Sequence, residues 1–248
     1  MESLQLKGRA ALVTGSTQGI GYAIAGAMSE AGARVIHHGL EVVPELGSHC
    51  LALDLTHPGA PEKLMEQAIA AAPEMDILVC NAGGFFDAPF LDMEVAKWEQ
   101  TFALNVRANY FLVQAFARHL VQKNRGGAVI LISSTNGLQA ELHSTAYDSS
   151  KGALIMMTRT LAVELAANSI RVNCIAPGLM HTPLTARWLD KNVAKRAHYE
   201  KNIPLGRIGV PADCGGAAVF LASNAAAYIT GQVIVIDGGL TVSQISPL

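Results

Sequence analysis

Short apolar runs rich in β-branched residues alternate with longer segments of helical periodicity along the whole chain. The strand candidates are residues 10–14, 33–38, 49–53, 76–80, 127–133, 170–175 and 232–236. The helix candidates lie near residues 19–31, 60–72, 94–122, 146–167, 182–200 and 211–223. Strands buried on both faces read as continuous apolar runs, and their alternation with helices predicts a parallel sheet covered on both sides. We therefore expect an α/β fold with a doubly wound sheet of about seven strands. No linker or repeat interrupts residues 1–248, which predicts one domain.

Composition excludes several classes of function. Half of the 248 residues are hydrophobic and 15% are charged, which is enough apolar surface for a large core. The net charge of −2 argues against nucleic acid as a partner. We expect no membrane span and no signal peptide, because the apolar runs are short and the first residues are polar. The four cysteines are far apart and favour a cytoplasmic location, and no metal site is predicted.

A glycine-rich turn follows the first strand candidate. It reads Thr14-Gly-Ser-Thr-Gln-Gly-Ile-Gly21 and opens into a helical pattern. Glycines permit positive φ and close approach of a phosphate, which the free amides at a helix start then bind. Strand, turn and helix is the context in which such a motif predicts dinucleotide binding in a Rossmann-type sheet. The alternative is a tight turn with a packing role only.

Tyr147 and Lys151 stand four residues apart in a helical segment. Residues at this spacing share one face of a helix, so an ammonium would lie beside a phenol. A nearby positive charge stabilises a phenolate and lowers its pKa, which predicts a proton-transfer group. The alternative is a surface tyrosine with a solvated lysine.

Further motifs accompany these two in a fixed order. They are Asn81-Ala-Gly83, Asn105, Ser134 thirteen positions before Tyr147, Pro177-Gly178 and Asp237-Gly-Gly239. With the glycine turn and the Tyr-x-x-x-Lys pair, they resemble the classical short-chain dehydrogenase/reductase family over about residues 7 to 240. The resemblance implies a nicotinamide-dependent oxidoreductase that acts on CH–OH groups, usually as a homotetramer. The stretches 153–157 and 233–236 are candidate tetramer surfaces or simply core.

The resemblance also implies the catalytic residues, which are Ser134, Tyr147, Lys151 and Asn105. Tyr147 would transfer the proton, and Lys151 would lower its pKa and hold the nicotinamide ribose. Ser134 would orient the substrate oxygen, with Ser133 as a competitor. Asn105 would support a water that links Lys151 to solvent, or else be an ordinary polar helix residue.

The predicted dinucleotide contacts extend over six segments. They are Gly15, Thr17, Gln18, Gly19, Ile20, Gly21, His38, Gly39, Leu40, Asp54, Leu55, Asn81, Ala82, Gly83, Pro177, Gly178 and Thr182, together with Tyr147 and Lys151. Asp54 would accept from the adenine amino group, or be a turn residue. Thr182 would contact the nicotinamide end, or be a helix N-cap before Pro183.

The end of the second strand predicts NAD as the cofactor, with NADP possible. A 2′-phosphate needs a cation, but Leu40 and Gln18 occupy positions that are often basic in NADP users of the family. A protonated His38 would shift the balance toward NADP. The segment from residue 39 to 48 is short where the resemblance implies a helix, so we expect an open adenosine side.

Three loops should contact the substrate, residues 84–92, 135–145 and 179–202. Their polar groups around a few aromatics favour a small hydroxylated molecule such as a sugar or polyol over a steroid. The alternatives are an NADPH-dependent carbonyl or 3-oxoacyl thioester reductase and, from another class, a dinucleotide sensor without chemistry.

Overall fold

The sheet has seven parallel strands in the order β3-β2-β1-β4-β5-β6-β7. A computed structural model describes residues 2–243 of the chain, so the two ends of the predicted domain lie outside the described residues. The strands are β1 Ala10–Val13, β2 Arg34–Gly39, β3 Cys50–Ala52, β4 Met75–Cys80, β5 Gly127–Ile132, β6 Ile170–Pro177 and β7 Val233–Ile236. The predicted doubly wound α/β fold is confirmed. The strand order reverses between β1 and β4, and ligands of such sheets bind at that point.

Helices cover both faces of the sheet. They are α1 Gly19–Glu30, α2 Ala60–Ala71, α3 Val95–Phe102, α4 Ala108–Gln122, α5 Thr145–Leu165, α6 Pro183–Leu189, α7 Val193–Asn202 and α8 Gly215–Ala222. Apolar residues of α1 and α8 form one core cluster with the sheet, and those of α2, α4 and α5 form another. In α4 the buried Leu112, Phe116 and Leu120 repeat every fourth residue, which puts them on one face of the helix.

The helix predicted over residues 94–122 is interrupted. A π-helical turn, Ala103–Arg107, separates α3 from α4. Asn105 lies in this turn, and its backbone carbonyl accepts a hydrogen bond from the Asn109 side-chain amide at 2.7 Å. π turns recur at functional sites because they redirect one side chain without ending the helix.

Two other helix predictions also differ in extent. Residues 182–200 form two helices, because Thr182 caps α6 and Asn192 caps α7 with its side chain. Residues 211–223 begin with a 3₁₀ turn, Pro211–Cys214, before α8. A 3₁₀ segment, Pro44–His49, fills the short connection between β2 and β3.

None of the helices in the described range 2–243 is long and apolar enough to cross a membrane. All four cysteines are buried and unpaired.

Candidate active site

The turn after β1 is fastened to the end of β4. The Thr14 hydroxyl accepts hydrogen bonds from the backbone amides of Asn81 and Ala82, both at 3.0 Å. The Asn81 side-chain amide donates to the carbonyls of Thr14, at 2.9 Å, and Gly15, at 3.0 Å. The Asn81 amide thus holds the two strand ends together. Thr14 was not among the predicted contacts, although its place at the strand end was visible in the motif.

The glycines of this turn leave room that side chains would fill. Gly15 has φ of +60°, and a Cβ there would lie 2.9 Å from Ala82 Cα. A Cβ on Gly21 would lie 2.4 Å from both the Asn81 amide nitrogen and the Gly15 carbonyl oxygen. Gln18 caps α1 without a side-chain hydrogen bond, so the first amides of this helix point to the turn without an internal acceptor. The cradle fits a dinucleotide diphosphate. Thr17 belongs to the same turn, and Gly19 and Ile20 are the first two residues of α1.

His38 supports the turn from β2. Its Nδ1 accepts from the Gly15 amide at 3.2 Å, and its Nε2 lies 2.9 Å from the Leu53 carbonyl, which fixes a neutral imidazole. Burial lowers the pKa of His38, and the side chain is 3% exposed. The protonated His38 that would shift the balance toward NADP is therefore not the form present in the protein without its cofactor. Gly39 packs against Thr17, and Leu40 is exposed.

Of the two predicted contacts that follow β3, Asp54 lies in a turn and Leu55 is buried in the core. Asp54 Oδ1 accepts from the Thr56 amide at 2.9 Å and from the Thr56 hydroxyl at 2.7 Å, and these bonds lower its pKa. The turn role that the sequence left open for Asp54 is thus present. The Leu55 side chain is buried in the core, which leaves only its backbone for a ligand.

Gly83, three residues after β4, lies close to the side chains of Asn105 and Lys151. A Cβ on Gly83 would lie 3.2 Å from Asn105 Oδ1 and 3.4 Å from Lys151 Nζ. The Asn105 side chain bonds both backbone groups of Gly84 and donates to the Ser150 hydroxyl at 3.0 Å. Asn105 therefore ties the loop after β4 to the helix that carries Lys151.

Ser134, Tyr147 and Lys151 converge where β5 meets α5. Ser134 follows β5 and is 8% exposed, and its hydroxyl is near enough to the Tyr147 phenol to act on the pKa of that group. Lys151 Nζ lies 5.4 Å from the centre of the Tyr147 ring and donates to the Ile132 carbonyl at 3.0 Å. The Ser133 hydroxyl instead donates to the Lys151 carbonyl at 2.8 Å. Of the two serines, Ser134 is the one that faces the phenol.

In the protein without its cofactor, the pKa of the Tyr147 phenol is raised and not lowered, so the predicted lowering by Lys151 stays a prediction for the cofactor-bound enzyme. Burial raises the pKa of Tyr147 to about 12, although the hydrogen bond from Ser134 acts in the opposite direction. Burial also lowers the pKa of Lys151 to about 8. The ammonium is directed at the Ile132 carbonyl, and three carboxylates near the phenol oppose its ionisation.

Pro177, Gly178 and Thr182 belong to the segment that leads from the end of β6 to the start of α6. The Gly178 amide donates to the Ile236 carbonyl at 2.9 Å, which fixes the chain after β6. Thr182 forms a capping box with Thr185, and Pro183 follows it at the helix start. A Cβ on Gly19 would lie 3.8 Å from the Thr182 side chain, so this cap also borders the glycine turn.

Three residues around Tyr147 were expected only as members of the substrate loops and not as catalytic or cofactor-binding residues. Asp87 accepts from the Tyr147 amide at 3.2 Å, and the Phe85 ring lies 5.2 Å from the Tyr147 ring. Asn136 exchanges hydrogen bonds with the Ser134 hydroxyl, at 3.1 and 3.3 Å. The only signal in the sequence was their position in two of the substrate loops.

Comparison with known proteins agrees with this geometry. The family model described as Enoyl-(Acyl carrier protein) reductase matches residues 15–241. The chain is 35% identical to the 3-oxoacyl-acyl-carrier-protein reductase FabG of Aquifex aeolicus, over 96% of this chain and 99% of the relative. It is 34% identical to L-rhamnose 1-dehydrogenase (NAD(P)(+)) of Sphingomonas sp. (strain SKA58), over 96% and 98% of the two chains.

Solved structures share the whole fold. A short-chain type dehydrogenase/reductase from Mycobacterium marinum superposes with a TM-score of 0.89 at 35% identity, over 98% of this chain and 99% of that one. A gluconate 5-dehydrogenase from Burkholderia cenocepacia J2315, in complex with NADP and tartrate, gives a TM-score of 0.91 at 30% identity with the same coverage.

Proposed function

The chain belongs to the classical short-chain dehydrogenase/reductase family, and on that premise we propose that it interconverts a secondary alcohol and a ketone with NAD as the preferred nicotinamide cofactor. The substrate is a small polar molecule such as a sugar or polyol. The observation that carries the proposal is the convergence of Ser134, Tyr147 and Lys151 beside a glycine cradle that fits a dinucleotide.

Each catalytic residue has a separate task. The bound dinucleotide supplies the hydride carrier and, when oxidised, a positively charged ring near the phenol. Tyr147 takes the hydroxyl proton in oxidation and returns it in reduction, so in the resting protein its raised pKa suits the donor role. Ser134 donates to the substrate oxygen and orients it.

Lys151 and Asn105 connect the phenol to the rest of the site. With a pKa lowered to about 8, Lys151 titrates near the working pH and would hold the ribose hydroxyls. Asn105 supports the water that completes the relay, and its location in the π turn next to Gly84 and Ser150 is consistent with that role.

The preference for NAD rests on the end of β2. His38 is neutral and buried, and the residue at the expected phosphate position is Leu40, which is 75% exposed. A phosphate dianion would gain no charged partner from either side chain. The remaining predicted contacts belong to the same proposal, with Asp54 on the adenine, Asn81, Ala82 and Gly83 on the ribose side, and Pro177, Gly178 and Thr182 at the nicotinamide end.

The rival within the family is an NADPH-dependent reductase of 3-oxoacyl thioesters. It is favoured by the similarity to the Aquifex reductase and by the NADP in the Burkholderia structure. A dinucleotide sensor without chemistry is disfavoured, because Asn105, Ser134, Tyr147 and Lys151 are all present.

We further propose a cytoplasmic homotetramer. Four buried, unpaired cysteines suit a reducing compartment. An apolar groove of about 300 Å³ lies on the outer side of α3 and α4 and includes Phe102, Tyr110 and Met157. Val235 of β7 is 37% exposed. A subunit interface would cover both surfaces.

Initial rates with a panel of sugars, polyols, hydroxy acids and 3-oxoacyl thioesters, each with NAD(H) and NADP(H), test the proposal. We expect turnover of a polyol or sugar, with a higher kcat/KM for NAD. Thioester reduction with a preference for NADPH would favour the rival, and cofactor binding without any turnover would favour the sensor.

A further inference from the structure

Three carboxylates surround the helix start that carries Tyr147. Asp87 reaches the Tyr147 amide from the loop after β4, at 3.2 and 3.3 Å from its two oxygens. Asp148 follows Tyr147 on α5, and Glu141 lies in the loop before that helix. All three oppose ionisation of the Tyr147 phenol through their charge. A substrate whose oxygen meets the phenol therefore reacts inside a negative field.

Hydrogen bonds hold two of these carboxylates in place. The Asn136 side-chain amide donates to Asp148 Oδ1 at 2.8 Å and to Glu141 Oε2 at 2.9 Å. The Glu141 backbone amide donates to Asp148 Oδ2 at 2.9 Å, which closes the ring. With its nitrogen committed to two acceptors, Asn136 must turn its oxygen toward Ser134, at 3.3 Å. The Asn136 side chain thus contacts Glu141, Asp148 and Ser134, the residue proposed to orient the substrate.

Two cations of the third substrate loop have other partners, and the Lys151 ammonium donates to the Ile132 carbonyl. Lys195 lies over the Trp188 ring at 4.4 Å, and Arg196 pairs with Glu200 at 3.0 Å and with Asp190 at 3.8 Å. The helix dipole at the start of α5 offsets only about half a charge. The pKa of Tyr199 in α7 is raised mainly by burial and, to a smaller extent, by the negative charge of Glu141.

We propose that Glu141 and Asp148, positioned by Asn136 and assisted by Asp87, are specificity-determining residues that select neutral substrates and reject those with a carboxylate near the reacting carbon. The inference rests on the proposed function, because it assigns the charge class of the same substrate. The relatives differ in the charge of the substrate in their names. L-Rhamnose 1-dehydrogenase is named for a neutral sugar, whereas gluconate 5-dehydrogenase is named for a sugar acid. We infer that this chain acts on a neutral substrate, as the name of the rhamnose dehydrogenase implies for that enzyme.

Two matched pairs of compounds test the charge class. D-Gluconate with D-gluconamide and acetoacetate with acetoacetamide differ mainly in the charge of one terminal group. Each compound is assayed as a substrate and as a competitive inhibitor of the alcohol that the wider panel identifies. We expect the amide to show at least about tenfold higher kcat/KM, or tighter inhibition, than its acid, since like charges in close apposition are strongly unfavourable. The difference should shrink at high salt because Glu141 is exposed.

A substitution that removes one charge assigns the effect to the carboxylates. Glu141→Gln keeps an oxygen that can accept from Asn136, so the ring of hydrogen bonds can persist. We expect it to raise the acid-to-amide ratio of kcat/KM several-fold. Glu164→Gln is the matched control, because Glu164 is exposed near the far end of α5, sixteen positions after Asp148. It changes net charge equally and should leave the ratio as in the parent.

The outcomes are distinct. The inference is overturned if the acids and their amides have equal kcat/KM. It is also overturned if Glu141→Gln and Glu164→Gln change the acid-to-amide ratio of kcat/KM equally. Either result leaves the proposed function intact. Failure of every alcohol and ketone in the wider panel to react would overturn the proposed function, and the inference with it.

Discussion

At the scale of single residues, burial and hydrogen-bond direction decide what the proton-transfer pair can do. Tyr147 and Lys151 have the helical spacing that the sequence predicts, but Lys151 Nζ is bonded to the Ile132 carbonyl. Burial raises the pKa of the phenol to about 12 and lowers that of the amine to about 8. In the protein without its cofactor, the lysine rather than the tyrosine titrates near neutrality.

Replacing Tyr147 with Phe should lower kcat by about two to four orders of magnitude, the usual contribution of a positioned proton-transfer group. The ring and its packing against Phe85 remain, so dinucleotide binding measured by fluorescence titration should stay near the parent value. A variant that turned over at the parent rate would refute the proton-transfer role.

The lowered pKa of Lys151 predicts a pH-dependent stability. Between pH 8 and its ordinary value of 10.5 the unfolded lysine binds more protons than the folded one, so the free energy of unfolding rises with pH there. Relative to Lys151→Met, the cofactor-free parent should gain up to about 1.4 kcal/mol per pH unit between pH 8 and 10. Urea unfolding of both proteins measures this. A difference independent of pH would show that Lys151 is not held as described.

Leu40 tests the cofactor preference. Leu40→Arg places a cation at the end of β2, and a charge-assisted bond to a 2′-phosphate should raise kcat/KM for NADP about tenfold or more relative to NAD. Val121→Arg on α4 adds the same charge elsewhere and is the control. An unchanged ratio in the Leu40 variant would place the adenosine ribose away from this position.

At the scale of elements, loops hold the catalytic helix at its start. α5 begins at Thr145, and its N-cap residue Ser144 makes no side-chain cap bond. Asp87, from the loop after β4, bonds the Tyr147 amide instead. A residue 60 positions away therefore acts as a helix cap and connects one substrate loop to α5.

Removing this cap should cost both stability and rate. Asp87→Ala should lower the free energy of unfolding by about 1 kcal/mol and decrease kcat, because the start of α5 loses an acceptor. Asp87→Asn keeps an acceptor oxygen and should retain most of the stability. Equal losses in the two variants, measured by urea unfolding, would mean that the charge rather than the cap matters.

At the scale of the whole molecule, apolar side chains remain exposed on the outer helices. Met156 is 57% exposed and Val163 is 79% exposed, and seven residues separate them, so they share one side of α5. Such a patch suits a subunit interface better than free solvent.

Light scattering tests the proposed tetramer. The parent should have four times the mass of one chain, and Met156→Glu should produce smaller species, because a charge would be buried without a partner. Val121→Glu, at the end of α4, is the control for an added charge. A monomeric parent would contradict the proposal directly.

The sequence by itself determined the strand–helix alternation, the fold class, and the places of Gly15, Asn81 and Ser134 at strand ends. These depend on periodicity and local backbone freedom, which neighbouring residues encode. The tertiary structure alone decided that Asn105 lies in a π turn, that His38 is a neutral support, and that Asp87, Asn136 and Glu141 surround the phenol. Those facts depend on which distant side chains meet and how much water is excluded between them, and neither is set by residues adjacent in the chain.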